Sequence, residues 1–143
     1  MKHHVYIALG SNLGDREQNI NEAIRLIGER VGTVADQSSL IESEPWGFDS
    51  ENTFLNAAIH VETTLSPHEV LAATQKIERE LGKTAVHATR RSLLPVYKDR
   101  PIDIDILLYD DLKLSEPELT LPHPLMHERP FVMQPLREIL KMP

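Results

Sequence analysis

The hydrophobic period of this chain switches between two and 3.6 in a definite order, and that order constrains the fold more than any other feature. Val5 to Leu9 is a short apolar run closed by Gly10-Ser11-Asn12, the pattern of a buried strand ending in a turn. Asp15 and Gln18 have the side chains of a capping box, after which Ile20, Ala23, Ile24, Ile27 and Val31 recur at helical spacing up to Gly32. Residues 33–43 are weakly patterned; Val34, Ser38 and Leu40 allow a strand before the turn-rich Glu44-Pro45-Trp46-Gly47. Leu55, Ala57, Ile59 and Val61 then alternate with Phe54, Asn56, His60 and Glu62, which predicts a strand with one apolar face and one polar face that also bears a ring. Ser66-Pro67-His68-Glu69 supplies an N-cap, a proline at the first helical position and a glutamate at the third. Val70, Leu71, Thr74, Ile77 and Leu81 share the face of the helix that follows, which is expected to end at Gly82. A loop-like stretch, 83–100, leads into the clearest alternation: Ile102, Ile104, Ile106 and Leu108 against Asp103, Asp105, Leu107 and Tyr109. A turn at Asp110-Asp111, a proline-rich segment over 116–130 and a short C-terminal helix complete the chain. Pro135 is expected to break or restart that helix.

Strand, helix, strand, strand, helix, strand is the split βαβ order of a ferredoxin-like α/β sandwich, of class α+β with a mainly antiparallel sheet. Both helices should cover one face, leaving the other free to carry a site. The 143 residues fit a single domain over 1–143, and 41% hydrophobic with 26% charged residues fits a packed core. Fifteen basic residues against twenty-two acidic ones give a net charge of −7, so the global basic footprint of a duplex nucleic-acid binder is absent. The lack of cysteine excludes a disulfide framework, a zinc ribbon and thiol catalysis. No apolar run approaches the ~18 residues of a membrane span, and no signal-peptide pattern follows Met1-Lys2-His3-His4, so a soluble, cytoplasmic protein is expected.

Asp103 and Asp105 stand two residues apart on a strand, so both carboxylates leave one face at a spacing of about 6.6 to 7 Å. Paired hard oxygen donors suit Mg²⁺, with water and phosphate oxygens filling the remaining positions. A bare Asp-x-Asp also describes a solvated polar face, and neighbouring charge is what separates the two readings. Residues 83–100 hold Lys83, Arg90, Arg91, Lys98 and Arg100 against Asp99 alone, a cationic approach to a carboxylate pair of the kind that a magnesium polyphosphate requires. Asn56 beside Phe54 can read and stack a flat heterocycle, although a strand-face Asn is also commonly just solvated. The run from Gly10 to Asp15 lacks the P-loop ending and the dinucleotide spacing, and reads as a turn plus a helix cap.

Several segments together carry a resemblance: Ala8-Leu9-Gly10-Ser11-Asn12-Leu13-Gly14, Leu55-Asn56-Ala57-Ala58, Thr74-Gln75-Lys76-Ile77-Glu78, Arg100-Pro101-Ile102-Asp103-Ile104-Asp105-Ile106-Leu107, and Pro122-His123-Pro124 with His127-Glu128-Arg129. In this order, over nearly the whole chain, they resemble the 6-hydroxymethyl-7,8-dihydropterin pyrophosphokinase family of folate biosynthesis. The resemblance implies transfer of pyrophosphate from ATP to the hydroxymethyl oxygen of the reduced pterin, with release of AMP. It implies ATP as co-substrate, two Mg²⁺ ions held by Asp103 and Asp105, and a catalytic set completed by Arg100 and His123. Nucleotide contacts are implied for Gln75, Glu78, Lys83, Arg100, Ile106, His123 and Arg129. The pterin is implied to lie between Phe54 and Phe131, with Asn56 and groups near Ser43 and Trp46 on its edge. Partners beyond the two substrates are not implied, and a monomer without nucleic acid or membrane is expected.

The chain departs from the family pattern before the acidic strand, where Val96-Tyr97-Lys98-Asp99-Arg100 replaces Arg-Trp-Gly-Pro-Arg. Pro124 stands where some members have Tyr, and Glu118 where some have Arg. Two rivals remain from the residues alone. Another two-metal phosphoryl or nucleotidyl transferase would keep the aspartates without needing Phe54, Asn56 and Phe131. A non-catalytic small-ligand module has no use for the carboxylate pair beside the cationic loop.

Overall fold

The computed structural model describes residues 2–44, 53–83, 101–124 and 126–140. Its elements are β1 (His3–Ser11), α1 (Arg16–Arg30), β2 (Gly32–Gln37), β3 (Ile41–Ser43), β4 (Phe54–Thr63), α2 (Pro67–Lys83), β5 (Asp103–Tyr109), β6 (Leu114–Ser115), β7 (Thr120–Leu121) and α3 (Pro130–Ile139), with a 3-10 turn over Met126–Glu128 before α3. The main sheet has the order β2-β4-β1-β5, with β3 also paired to β4 and every pairing antiparallel. This is the expected split βαβ topology. Among the described residues no helix is long and apolar enough to cross a membrane.

Local chemistry starts both long helices where the sequence places them. Asp15 accepts from the Gln18 amide at α1. At α2 the Ser66 amide donates to Glu69 Oε1 while the Glu69 amide donates to Ser66 Oγ, a complete capping box. Ile20, Ala23, Ile24 and Ile27 of α1 and Val70 and Ile77 of α2 close over Val5, Ile7, Leu9, Ile59, Ile104 and Ile106 to form the larger core. The expected strand over 33–43 is broken in two. Between its halves the Ser38 hydroxyl accepts the Ala58 amide and the Ser38 amide donates to the Ala58 carbonyl, so the ladder of β4 stays satisfied through the break.

Three expectations need correction. The face opposite α1 and α2 is only partly free: Val132, Leu136 and Ile139 of α3, with Met126, bury Ala8, Ala58 and Leu107 in a second core. The polar side of β4 is therefore buried as well, and His60 is accommodated there by Asp36 at 2.9 Å, His4 at 2.8 Å and the stacked Tyr6 ring. Secondly, α3 runs unbroken through Pro135. Its ring is one of the buried residues on the apolar stripe of the helix, so packing offsets the absent backbone donor. Thirdly, Tyr109 faces the helix-side core, not the aspartate face. The register jumps from Ile7↔Ile106 to Tyr6↔Leu108, and this bulge at Leu107 reverses the side-chain phase of the rest of β5.

Past β5 the chain turns at Asp110, whose φ is 49°. Its carboxylate accepts the His4 amide at 2.7 Å and lies 2.6 Å from His3 Nδ1, tying the end of β5 to the start of β1. Burial alone raises the Asp110 pKa, but the His4 amide and the His3 ring outweigh it and hold the group below 3.8. A carboxylate with a lowered folded-state pKa contributes stability that is complete above the unfolded value and disappears as pH falls through the folded one. Asp110→Asn should therefore melt below the parent at neutral pH, with the gap closing under about pH 4. Melting curves from pH 7 to 2.5 check this, and a gap independent of pH would refute it.

Candidate active site

Antiparallel register brings the site residues into two rows across the centre of the sheet. Asn56 of β4, Gly10 of β1 and Asp103 of β5 form one row, and Ala58, Ala8 and Asp105 form the next. Leu9 and Ile104 lie between the rows and point into the helix-side core, so Asn56 and both aspartates share the outer face, as the alternation implied. Between Asn56 and Asp103 the floor carries only Gly10. A Cβ there would sit 3.3 Å from Asn56 Oδ1 and 3.5 Å from the Phe54 ring. The sequence pattern places Gly10 in a turn, whereas β1 continues through it to Ser11. A glycine closing an apolar run is equally the mark of a strand that something must approach closely, and that signal was available.

The Asn56 side of the floor is rigid. Its Nδ2 donates to the Ile41 carbonyl at 2.9 Å and to Ser43 Oγ at 2.8 Å, which orients Oδ1 toward the space above Gly10. Asn56 is 4% exposed, so this orientation is fixed by burial as well as by hydrogen bonding. Ser43 pairs with Phe54 in the β3–β4 ladder. Glu42 and Thr53, each one position before a member of that pair, are clasped by Arg16 at the start of α1: the guanidinium donates to Glu42 Oε2 at 3.0 Å and to Thr53 Oγ1 at 2.9 Å. The Arg16 contact was not foreseen, because nothing local in the sequence relates a helix start to these two strands.

The aspartate side is bordered by the chain after β7. The His123 amide donates to the carbonyl of Leu107, the bulged residue, and His123 Nε2 stands 3.9 Å from Asp105 Oδ1. Burial pushes the imidazole below its ordinary pKa and Arg129 adds to this, with Asp103 opposing. Arg129 precedes α3 and its guanidinium carbon lies 5.8 Å from the Phe131 ring centre. Phe131 packs against the outer core, so both expected rings, Phe54 and Phe131, belong to the outer face.

The residues expected around a nucleotide divide into four groups. His123 and Arg129 are at the outer face. Gln75 is exposed on α2, while Glu78, one turn further on, accepts the Ile104 amide at 2.7 Å. The Ile106 side chain is 4% exposed inside the core, so any ligand contact it makes must use its backbone. Trp46, Arg90, Arg91, Tyr97, Lys98, Arg100 and the side chain of Lys83 lie outside the described residues. Two half-exposed carboxylates leave one face beside Gly10 and Ala8, and an all-oxygen donor pair fits Mg²⁺ better than a softer metal. Beside them lie an imidazole, a guanidinium and a rigid amide above a glycine floor. Such a surface can hold a flat heterocycle next to a metal-bound anion.

Comparison with known proteins gives a consistent result. The family described as 7,8-dihydro-6-hydroxymethylpterin-pyrophosphokinase matches residues 6–141. A Porphyromonas gingivalis protein named 2-amino-4-hydroxy-6-hydroxymethyldihydropteridine pyrophosphokinase is 48% identical over 136 residues, covering 94% of this chain and 89% of that one. A Bacillus subtilis protein of the same name is 41% identical over 140 residues, covering 97% and 79%. Among solved structures, the Plasmodium falciparum HPPK-DHPS wild type with SDX-DHP matches with a TM-score of 0.69 at 16% identity. That likeness shows the fold alone. It covers 96% of this chain, which spans 40% of that longer one.

Proposed function

The chain belongs to the 7,8-dihydro-6-hydroxymethylpterin-pyrophosphokinase family, and from that premise we propose how its own residues move pyrophosphate from ATP to the hydroxymethyl oxygen of a reduced pterin. The observation that carries the reading is the single outer-face row Asn56, Gly10, Asp103, with Asp105 in the row behind it. It joins a flat-ring pocket to a carboxylate pair across two strand spacings, about 10 Å.

The pterin lies on the Gly10 floor with its edge at Asn56. Asn56 Oδ1 accepts a ring N–H, while Phe54 on one side and Phe131 on the other contribute stacking and exclude water. In this pose the hydroxymethyl arm points along the row toward Asp103. Asp103 and Asp105 would hold two Mg²⁺ ions, which would lower the pKa of the attacking hydroxyl and offset charge on the transferring phosphates. Arg129 and Arg100 bind phosphate oxygens. His123, whose Nε2 lies beside Asp105, donates a hydrogen bond to a phosphate oxygen. The exposed Gln75 borders the nucleotide, and Ile106 meets the base through its backbone.

The direct test is incubation of the protein with ATP, Mg²⁺ and 6-hydroxymethyl-7,8-dihydropterin, scoring AMP and pterin pyrophosphate together. Equal amounts of the two products are expected. Formation of ADP, or of AMP without the pterin product, would refute the assignment.

The floor gives a second test. Gly10→Ala introduces a Cβ into contact with Asn56 and Phe54 where the pterin must lie, and its backbone φ is not in the left-handed region, so the fold should survive. Pterin affinity should fall by about tenfold, the effect of 1 to 2 kcal/mol of overpacking, with ATP affinity unchanged. Fluorescence titration of each ligand measures this, and unaltered pterin affinity would remove Gly10 from the binding floor.

A further inference from the structure

β5 bears both aspartates and is an edge strand of the sheet. Among the described residues it is paired to β1 alone, and Asp103 is its first residue. An edge strand directs alternate amides and carbonyls away from its neighbour, where no other strand meets them. At Ile104 that outward amide is taken up by the Glu78 carboxylate of α2, at 2.7 Å. α2 is a firm support for this bond. Thr74 and Ile77 beneath it are buried, and Glu80 forms a two-pronged pair with Arg30 of α1.

The Ile104 amide belongs to the peptide unit that begins at the Asp103 carbonyl carbon, so fixing it fixes the backbone plane between the two aspartates. We infer that Glu78 is a positioning residue for the acidic pair, acting through the Ile104 backbone, and not the direct nucleotide ligand that sequence likeness implied. This rests on the reading of Asp103 and Asp105 as the metal-holding carboxylates. The two like charges repel each other, and their shared orientation is needed for one reaction centre; an anchor on the intervening amide holds it. What the position demands is an acceptor oxygen at glutamate length. Glutamine meets that demand without charge, whereas aspartate keeps the charge and falls one methylene short.

Two measurements separate these alternatives. The first is amide exchange at Ile104, followed by NMR in the substrate-free protein. Glu78→Ala and Glu78→Asp should speed it by about 10- to 100-fold, the range for loss of a hydrogen bond to a charged group, and Glu78→Gln should stay within a few fold of the parent. The second is steady-state kinetics at saturating ATP and pterin. Glu78→Ala and Glu78→Asp should lower kcat by about 10-fold or more and raise the Mg²⁺ concentration for half-maximal rate, and Glu78→Gln should recover most of both. If Glu78→Ala does not fold, Glu78→Asp carries both comparisons. Unchanged Ile104 exchange would overturn the inference. So would a variant that raises KM for ATP alone, because that is the signature of a direct nucleotide contact. A parent protein that makes no AMP would overturn the proposed function, while the exchange measurement would still decide whether Glu78 anchors the strand.

Discussion

Asp103→Ala and Asp105→Ala should each abolish turnover to within measurement, a loss of about three orders of magnitude or more, while the protein remains folded. The expectation combines position with chemistry. Both side chains leave β5 on the outer face and both are only partly buried, so neither is part of either apolar core. Their removal costs little packing. Two carboxylates about 7 Å apart on one strand repel one another, which offsets what either gains from its neighbours, so deleting one should leave the melting temperature within a few degrees of the parent. Loss of activity with no loss of stability distinguishes a site carboxylate from a structural one. The check is a pair of measurements on each variant: AMP formation at saturating Mg²⁺, and thermal unfolding without ligands. Near-normal turnover in both variants would end the metal assignment. A large fall in melting temperature would instead make the pair structural.

Legibility in the sequence followed the range of the interactions concerned. The N-cap at Asp15, the capping box at Ser66, the alternation of β4 and the Asp-x-Asp pair are properties of residues a few positions apart, and the structure bears them out, although at Asp15 it gives the Gln18 amide bond alone and not the reciprocal half of a capping box. The order of periods was enough for the split βαβ topology, because antiparallel register follows once the helices are assigned to one face. What could not be read depends on contacts between distant segments. The bulge at Leu107 turns Tyr109 to the helix side, and it exists only because of how β5 meets β1. The second core under α3 covers much of a face that alternation alone leaves polar, and it uses the small Ala8 and Ala58 to admit the helix. Of the candidate site residues, the structure brings Asn56, Phe54, Asp103, Asp105, His123, Arg129 and Phe131 to the outer face, and engages Glu78 with the backbone of β5. Gly10 was misjudged for a local reason. Its meaning is set by Asn56 and Phe54, which stand more than forty positions away.

Asn56→Ala should produce the largest selective loss of pterin binding. Both donors of the amide are committed within the protein, to the Ile41 carbonyl and the Ser43 hydroxyl, so its remaining acceptor is held above Gly10 without rotational freedom. A preorganised acceptor in a buried position loses little entropy when it meets a ring N–H, and its removal leaves that N–H unpaired against an apolar floor. The expected cost is about 1 to 3 kcal/mol, or roughly 5- to 150-fold in affinity. ATP affinity should change little, because the expected nucleotide contacts Ile106 and His123 lie on or against β5, across the central strand β1 from Asn56. The substitution also removes the side-chain donor to Ile41, so some loss of stability is expected, and affinity must be measured at a temperature where the variant is fully folded. Asn56→Asp supplies the internal control: it keeps an acceptor above Gly10 but sets an oxygen against the Ile41 carbonyl, so it should be less stable than Asn56→Ala. Calorimetric titration of both ligands into both variants settles the placement. Intact pterin affinity with lost ATP affinity would exchange the two substrates on the sheet and overturn the proposed pose.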